Sequence, residues 1–221
     1  MKLFAEAPIK RMSILERRPG DPRDKFLRHW RDIHGGMVAE LPFLFAYNQN
    51  HVLEDFDCGL PGYPADGFVE QLWRSTAQMQ RGYSSPVVRT LIDDEVNYLG
   101  HGSNYAILAQ SPLLTAEGGE KLICSLRHGG QADLADAVVE ESSALPYLRD
   151  LMRDDVIATI AKPNMLPVPP RPVDMFLQLY FRDAVAARAA AHRLSEFIRA
   201  LPFGELATAG LHRVATHVIV R

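Results

Sequence analysis

The sequence has little cysteine, with only Cys58 and Cys124 among 221 residues. The two lie far apart and in no metal-binding or redox spacing. This argues against a disulfide scaffold, a zinc site and an iron–sulfur cluster. We therefore expect free thiols in a reducing compartment and no metal site.

An excess of charge of one sign and long apolar runs are also lacking. Lysine and arginine total 24 against 27 aspartates and glutamates, a formal net charge of -3, and neither sign gathers into a long run. Such a balance gives no electrostatic footprint for nucleic acid or an anionic membrane. No stretch reaches the about 18 apolar residues of a membrane span, and the first residues lack a signal-peptide pattern. We predict a cytoplasmic protein whose partner is a small hydrophobic molecule.

Periodicity and turn residues predict the element order βαββαβ, and then the same order again. In the first half the predicted strands are 9–16, 44–54, 68–74 and 103–110, with a helix at 22–41 and another capped by Ser75. In the second half the predicted strands are 120–128, 155–162, 175–181 and 212–220, with helices at 131–145 and 183–200. Leu41-Pro42 aligns with Leu145-Pro146, which indicates an internal duplication.

A βαββαβ unit leaves one face of its four-stranded sheet bare, and that face must be covered. Two such sheets in one chain can cover each other. The predicted fold is therefore α+β, with two tandem ferredoxin-like repeats at residues 1–112 and 118–221 that form an intrachain α+β barrel pseudo-dimer. Whether two such chains associate further as a homodimer stays open.

The stretch KFLRHWRDIHGGMVAELP, residues 25–42, is unusual for a structural helix. At about 100° per residue its apolar stripe contains Phe26, Trp30, Ile33, Met37 and Leu41. His34 lies ~60° from the centre of the stripe and faces inward, whereas His29 lies at the border. Either His34 is a core histidine bonded to a backbone carbonyl, or it lines a pocket as a general acid or base. Gly35 and Gly36 cost helix stability, which suggests close approach by a neighbour.

The following strand, FLFAYNQNHVLE, carries hydrogen-bonding groups on both faces. Alternation places Tyr47 and His51 on one face and Asn50 on the other, and Glu70 lies in the middle of the third strand. These groups either satisfy one another or point into a solvated pocket. Glu70 is expected to pair with Arg74 or an imidazole, or to be a desolvated acid with a raised pKa. The DDE run at 93–95 reads as a solvated helix end.

The runs KFLRHWRDIHGGMVAELPFLFAYNQNHV, DGFVEQLWRS and SPVVRTLIDDEVNYL resemble the EthD-domain family of the dimeric α+β barrel superfamily. The resemblance covers roughly residues 8–110 and implies a ligand cavity between sheet and helices. It implies candidate site residues in the first half only: His29, Trp30, His34, Tyr47, Asn50, His51, Glu70 and Trp73. In the second half His29, Trp30 and His34 align with Asp133, Leu134 and Val138, so that half keeps the architecture without the histidines.

Three functions remain open from the sequence. The leading one is a cofactor-independent lyase, dehydratase or isomerase that acts by proton transfer on a hydrophobic cyclic or aromatic carbonyl compound. In it, His34, His51, Tyr47 and Glu70 are catalytic, while substrate is bound by His29, Trp30, Asn50 and Trp73. The alternatives are a non-catalytic binding protein for a small apolar metabolite and, with less support, a haem protein that uses His34 or His51 as axial ligand.

Overall fold

The computed structural model describes residues 7–109, 119–160 and 171–220. The strands are β1 Ile9–Arg17, β2 Leu44–Phe56, β3 Gly67–Trp73, β4 Leu99–Leu108, β5 Glu120–Arg127, β6 Leu148–Ile160, β7 Met175–Phe181 and β8 Thr208–Val220. The helices are α1 Arg23–His29, α2 Gly35–Ala39, α3 Thr76–Tyr83, α4 Val87–Glu95, α5 Ala132–Ser143 and α6 Ala184–Ala200, with a π turn at Trp30–His34 between α1 and α2. Within these ranges no helix is both long and apolar enough to cross a membrane.

The eight strands close into one antiparallel barrel in the order β1-β3-β2-β8-β5-β7-β6-β4. Each half supplies four neighbouring strands, and the halves join where β2 pairs with β8 and where β4 pairs with β6. Two ferredoxin-like sheets therefore complete each other's edges, which leaves neither sheet with an open edge strand. The predicted α+β barrel pseudo-dimer is confirmed.

The two halves also share backbone details that the duplication predicts. Phe43 and Tyr147 each follow a Leu-Pro pair, and both have a positive φ, of 68° and 62°. The pairing of the second and third strands slips just after this point in both halves, between Leu44 and Ala46 and between Leu148 and Asp150. The repeat limits of 1–112 and 118–221 stay predictions, because residues 110–118 lie outside the described part of the chain.

β6 begins at Leu148, seven residues before the start that periodicity predicts. Its first half carries the exposed charged residues Arg149 and Asp150, and its outward positions are solvated. Charges on the solvated face hide the alternation on which the sequence prediction depends. The prediction was therefore wrong about the length of this strand but right about its existence.

Alternation along the strands sends successive side chains to the barrel interior or to the helices outside it. The interior holds an apolar cluster that includes Met12, Phe68, Tyr105, Ile123 and Phe176. Outside, α5 and α6 pack on the sheet of the second half, and the helices between Arg23 and Glu95 pack on the sheet of the first half. This second layer contains the candidate site.

Two buried ion pairs cross the barrel interior between the halves. Lys10 Nζ lies 2.7 Å from an oxygen of Asp154, and Lys121 Nζ lies 2.7 Å from an oxygen of Glu70. Each carboxylate also accepts a side-chain amide, Asp154 from Gln178 at 2.6 Å and Glu70 from Asn50 at 2.8 Å. None of these side chains is more than 4% exposed, so every charge depends on its partner across the barrel.

Glu70 is thus neither paired with Arg74 or an imidazole nor a carboxyl group with a raised pKa. Burial alone would raise the pKa of Glu70, but the ammonium groups of Lys121 and Lys10 outweigh it and lower the pKa to about 2. The sequence could not indicate this partner, because Lys121 is 51 residues away and comes from the other repeat.

Lys121→Met should destabilise the protein by about 3–5 kcal/mol, because it leaves the Glu70 carboxylate buried without a counter-charge. Urea unfolding at pH 7 measures the loss. The double variant Lys121→Met/Glu70→Gln removes both charges and should recover most of it. A single variant as stable as the parent would show that the pair does not hold the halves together.

Candidate functional site

A cavity of about 320 Å³ lies between the outer face of the first-half sheet and the helices that cover it. Strands β1, β3 and β4 form its floor, while the π turn, α2, α3 and α4 form its walls. The lining is mainly apolar and includes Trp30, Val38, Val69, Met79 and Leu91. This volume lies at the lower end of the range for small-molecule sites. The cavity suits a compact molecule of a few rings.

The helix that supplies one wall is not the uninterrupted helix that periodicity predicts. Residues Trp30–His34 form a π turn, and the N–H of Gly35 donates to the carbonyl of Trp30. The same carbonyl accepts Gln49 Nε2 at 2.9 Å. A π turn adds one residue to the turn and rotates the side chains beyond it about the helix axis. Ile33, which lies inside this turn and was predicted on the buried stripe, is 47% exposed.

Gly35 has the predicted close neighbour, but Gly36 does not. A Cβ at Gly35 would lie 2.8 Å from Gln49 Nε2 and 3.3 Å from the Trp30 carbonyl oxygen, whereas nothing lies within 4 Å of a Cβ at Gly36. Gly35 thus allows Gln49 to reach the widened turn.

His34 is held by a carboxylate from a different helix. Its Nδ1 lies 2.9 Å from Asp94 Oδ2, while His29 Nε2 lies 2.9 Å from Asp94 Oδ1. The ring of Tyr98 packs against both imidazoles, at 5.1 Å from His34 and 4.9 Å from His29. For a core His34 the sequence analysis expected a backbone carbonyl as the partner. The partner of Nδ1 is instead the carboxylate of Asp94.

Asp94 is not the solvated helix end that the DDE run predicts. It is 8% exposed. Burial alone would raise the pKa of Asp94, but the hydrogen bonds from His34 and His29 outweigh it and hold the pKa below its ordinary value. The ionised carboxylate is therefore the stable form, and it favours a proton on the Nδ1 of His34. The sequence pattern does not reveal the pairing of Asp94 with His34, because the two residues are 60 positions apart.

The floor carries a polar cluster that the sequence interpretation missed. Arg11 hydrogen-bonds Gln71 Oε1 at 3.0 Å, Asn104 Oδ1 at 2.5 Å and the Tyr83 hydroxyl. Ser13 Oγ also donates to Asn104 Oδ1, at 2.7 Å. One signal was available: Arg11 and Ser13 alternate with residues of the barrel interior on β1, so they share a face with Ile9 and Leu15 and must be buried beneath the helices.

The predicted site residues do not converge on one point. Trp30, His34 and Tyr47 line the cavity. His29 lies on the far side of Asp94, and Trp73 packs against Tyr83 with ring centroids 5.6 Å apart.

The remaining three predicted residues lie elsewhere. His51 lies behind Trp30, with ring centroids 4.8 Å apart, and its Nε2 bonds to Gln49 at 3.0 Å. Asn50 and Glu70 point into the barrel interior, where they bond to each other. Tyr47 and Asn50 are an odd number of residues apart on β2, and Glu70 pairs with Asn48, so Asn50 and Glu70 face the side of the sheet opposite to Tyr47. The predicted grouping of His34, Tyr47, Asn50, His51 and Glu70 is therefore not found.

The corresponding layer of the second half is packed with apolar side chains. Val138, which aligns with His34, belongs to a buried cluster with Ala135, Ala187, Leu194 and Cys124. Small alanines on α6 let that helix pack closely on its sheet. The position that aligns with His34 is therefore part of an apolar core in the second half.

Comparison with models of known protein families and with curated proteins gives no match. Solved structures do match the fold over nearly the whole chain. An anthrone oxidase-like protein is 11% identical, with 98% of this chain and 94% of that chain covered and a TM-score of 0.59. A protein assigned as a monooxygenase from Fusobacterium nucleatum is 7% identical, with coverage of 96% and 94% and a TM-score of 0.57. A protein assigned as a chlorite dismutase is 10% identical, with 95% of each chain covered and a TM-score of 0.50.

These likenesses agree with the closed α+β barrel of two ferredoxin-like sheets. At such identities they establish the fold and not the reaction.

Gly35→Ala should destabilise the protein by about 1–3 kcal/mol, because the added methyl group forces Gln49 away from its buried hydrogen bonds. Gly36→Ala is the matched control and should be neutral or stabilising by up to about 1 kcal/mol. Thermal and urea unfolding of both variants measures the difference. Equal effects at the two positions would contradict the close approach at Gly35.

Stability should also depend on pH through His51. Burial, with a smaller effect from His217, lowers the pKa of His51 to about 3 from 6.5. Between these values the unfolded chain binds a proton that the folded protein does not, so stability is complete above pH 6.5 and falls as the pH is lowered. His51→Gln should remove on the order of 2 kcal/mol of the loss between pH 7.5 and 5.

Urea unfolding at both pH values measures the effect, with His192→Gln as the control. An unchanged pH dependence in His51→Gln would contradict the assignment.

Proposed function

We propose that the chain is a cofactor-independent enzyme that moves a proton on a hydrophobic cyclic or aromatic carbonyl compound bound in this cavity. The observation that carries the proposal is His34, a buried imidazole that lines an apolar cavity while Asp94 holds its Nδ1. A carboxylate in this position orients the ring, favours the tautomer with a basic Nε2, and stabilises the imidazolium that proton transfer creates. A core histidine would also need a hydrogen-bond partner, but it would not need to line a cavity.

The chemical step follows from this arrangement. His34 Nε2 takes a proton from the carbon beside the carbonyl group, the C–H electron pair forms the C=C bond of an enolate, and the carbonyl π pair moves to the oxygen. The imidazolium then returns the proton to the same carbon or to another carbon of the conjugated system. If the enolate instead re-forms the carbonyl group, its C=C pair makes a new C=C bond to the next carbon, and a leaving group on that carbon departs with the electron pair of its own bond and takes the proton from the imidazolium, the net reaction is an elimination. Isomerase and lyase or dehydratase chemistry thus share one first step.

Oxygenation can follow the same first step when the enolate carbon adds to dioxygen, the imidazolium protonates the resulting peroxide, and the O–O bond breaks with loss of water to leave a second carbonyl group. The fold neighbours described as monooxygenase and anthrone oxidase-like are compatible with this extension, although their identity of 7 to 11% carries no reaction to this chain. The resemblance of residues 8–110 to the EthD-domain family stays a prediction, because no family model matches the chain. A homodimer of the chain stays a prediction.

Haem fits this cavity poorly. The volume of about 320 Å³ is small for a flat macrocycle of four pyrrole rings. Of the two histidines predicted as axial ligands, His51 lies behind Trp30 and bonds to Gln49, so only His34 lines the space. We derive no step through haem.

Exchange of the α-hydrogens of 1-tetralone with solvent deuterium, followed by proton NMR, tests the proposal. This cyclic aromatic ketone needs no cofactor to exchange, and the protein should accelerate exchange over buffer. His34→Gln should lower the acceleration about 100-fold, the usual lower bound for loss of a general base. Asp94→Asn should lower it at least about tenfold, because the imidazole loses its orientation and counter-charge.

Asp93→Asn is the matched control. Asp93 is the exposed neighbour of Asp94, bonds to Arg89 and lies outside the cavity lining, so exchange should be unaffected. Binding of the ketone without faster exchange would contradict the enzyme and leave the binding protein for an apolar metabolite as the function. Exchange that survives His34→Gln would contradict the role of His34.

A further inference from the structure

Asn104 lines the floor of the cavity, and its side-chain amide is buried. Its Oδ1 accepts from Arg11 at 2.5 Å and from Ser13 at 2.7 Å. Two donors on the same atom fix the orientation of the amide, because the amino end could not accept either bond. The Nδ2 group is therefore turned away from both neighbours. Within the described part of the chain nothing accepts a hydrogen bond from it, although Asn104 is only 1% exposed.

An unsatisfied buried donor of this kind costs about 1–3 kcal/mol, so native proteins rarely keep one without a purpose. Asn48 also has an unpartnered Nδ2, but it lies on the barrel-interior face of β2 and outside the cavity lining. Asn104 differs because it borders a space large enough for a ligand. An acceptor atom on that ligand would supply the missing partner.

Arg11 adds a positive charge at the same place. It is 7% exposed and donates hydrogen bonds to the neutral oxygens of Gln71, Tyr83 and Asn104. No ion pair joins it to a carboxylate among residues 7–109, 119–160 and 171–220. A guanidinium group in a partly buried position polarises the dipoles bonded to it. The Nδ2 hydrogens of Asn104 are polarised in this way, because its Oδ1 is bonded to the cation.

We propose that Asn104, backed by Arg11, is the subsite that binds the carbonyl or enolate oxygen of the ligand. The subsite defines the substrate class as compact ring compounds with an acceptor oxygen at one end and an apolar remainder. This subsite adds a substrate class to the function proposed above. It rests on that proposal in one respect, that the cavity is the binding site. In the proton-transfer step the same donor stabilises the negative charge that develops on oxygen.

Calorimetric titration of the full chain with two ring-matched probes tests the subsite. 1-Tetralone has the acceptor oxygen, and tetralin is the same bicyclic skeleton without it. The parent protein should bind 1-tetralone about tenfold or more tightly than tetralin, the value of one hydrogen bond to a polarised buried donor. Asn104→Asp keeps an oxygen for Arg11 and Ser13 but removes the N–H donors. It should abolish the preference for the ketone and leave tetralin binding unchanged.

Asn48→Asp is the matched control, because it makes the same change at the other unpartnered buried amide. It should keep the preference for the ketone. Asn104→Leu is a second variant that removes donor and acceptor together without adding a charge, and it should lose the same preference. Circular dichroism and thermal unfolding establish that each variant is folded.

Each outcome bears on the subsite separately from the reaction. Equal affinity of the parent for both probes, binding of neither probe, or a preference that survives in both Asn104 variants would overturn the subsite. A ketone preference that depends on Asn104, together with no acceleration of α-hydrogen exchange, would support the subsite and contradict the enzyme. Exchange that depends on His34 but not on Asn104 would support the enzyme and overturn the subsite.

Discussion

The rest of the structure depends on charge pairing across the barrel interior. Lys10 of the first repeat binds Asp154 of the second, and Lys121 of the second binds Glu70 of the first. Moving such charges out of water costs several kcal/mol each, and only a well-placed counter-charge offsets that cost. Each sheet therefore carries charges that only the other sheet can neutralise. The barrel has one register in which both pairs form.

The two pairs are related by the duplication but are not copies of each other. Lys10 and Lys121 lie at matching places on β1 and β5, opposite Leu72 and Tyr180 in their partner strands. In the first repeat the acid is on the third strand and the amide on the second. In the second repeat the positions are exchanged, with Asp154 on the second strand and Gln178 on the third. The exchange makes the halves complementary, which suits one chain that contains both.

Sequence reasoning recovered the fold because its signals are local. Periodicity, a Leu-Pro pair and turn residues fixed the element order, and the bare face of a βαββαβ sheet required a second sheet. The same reasoning placed Trp30 and His34 on an inward face, and both line the cavity. Contacts between distant segments were not recoverable, such as Asp94 with His34. Nor was the π turn, since a helical pattern gives no sign of one inserted residue.

The polar residues at the two ends of the cavity are held in place in different ways. Arg11 and Asn104 project from neighbouring strands of a closed barrel, where hydrogen bonds on both sides fix the backbone. His34 projects from a π turn between helices of seven and five residues, and Asp94 on α4 and Tyr98 just beyond it hold its ring. Binding and catalytic atoms both need rigid placement. The proposed oxygen subsite receives it from the backbone of the barrel, and the His34 imidazole receives it from the side chains of Asp94 and Tyr98.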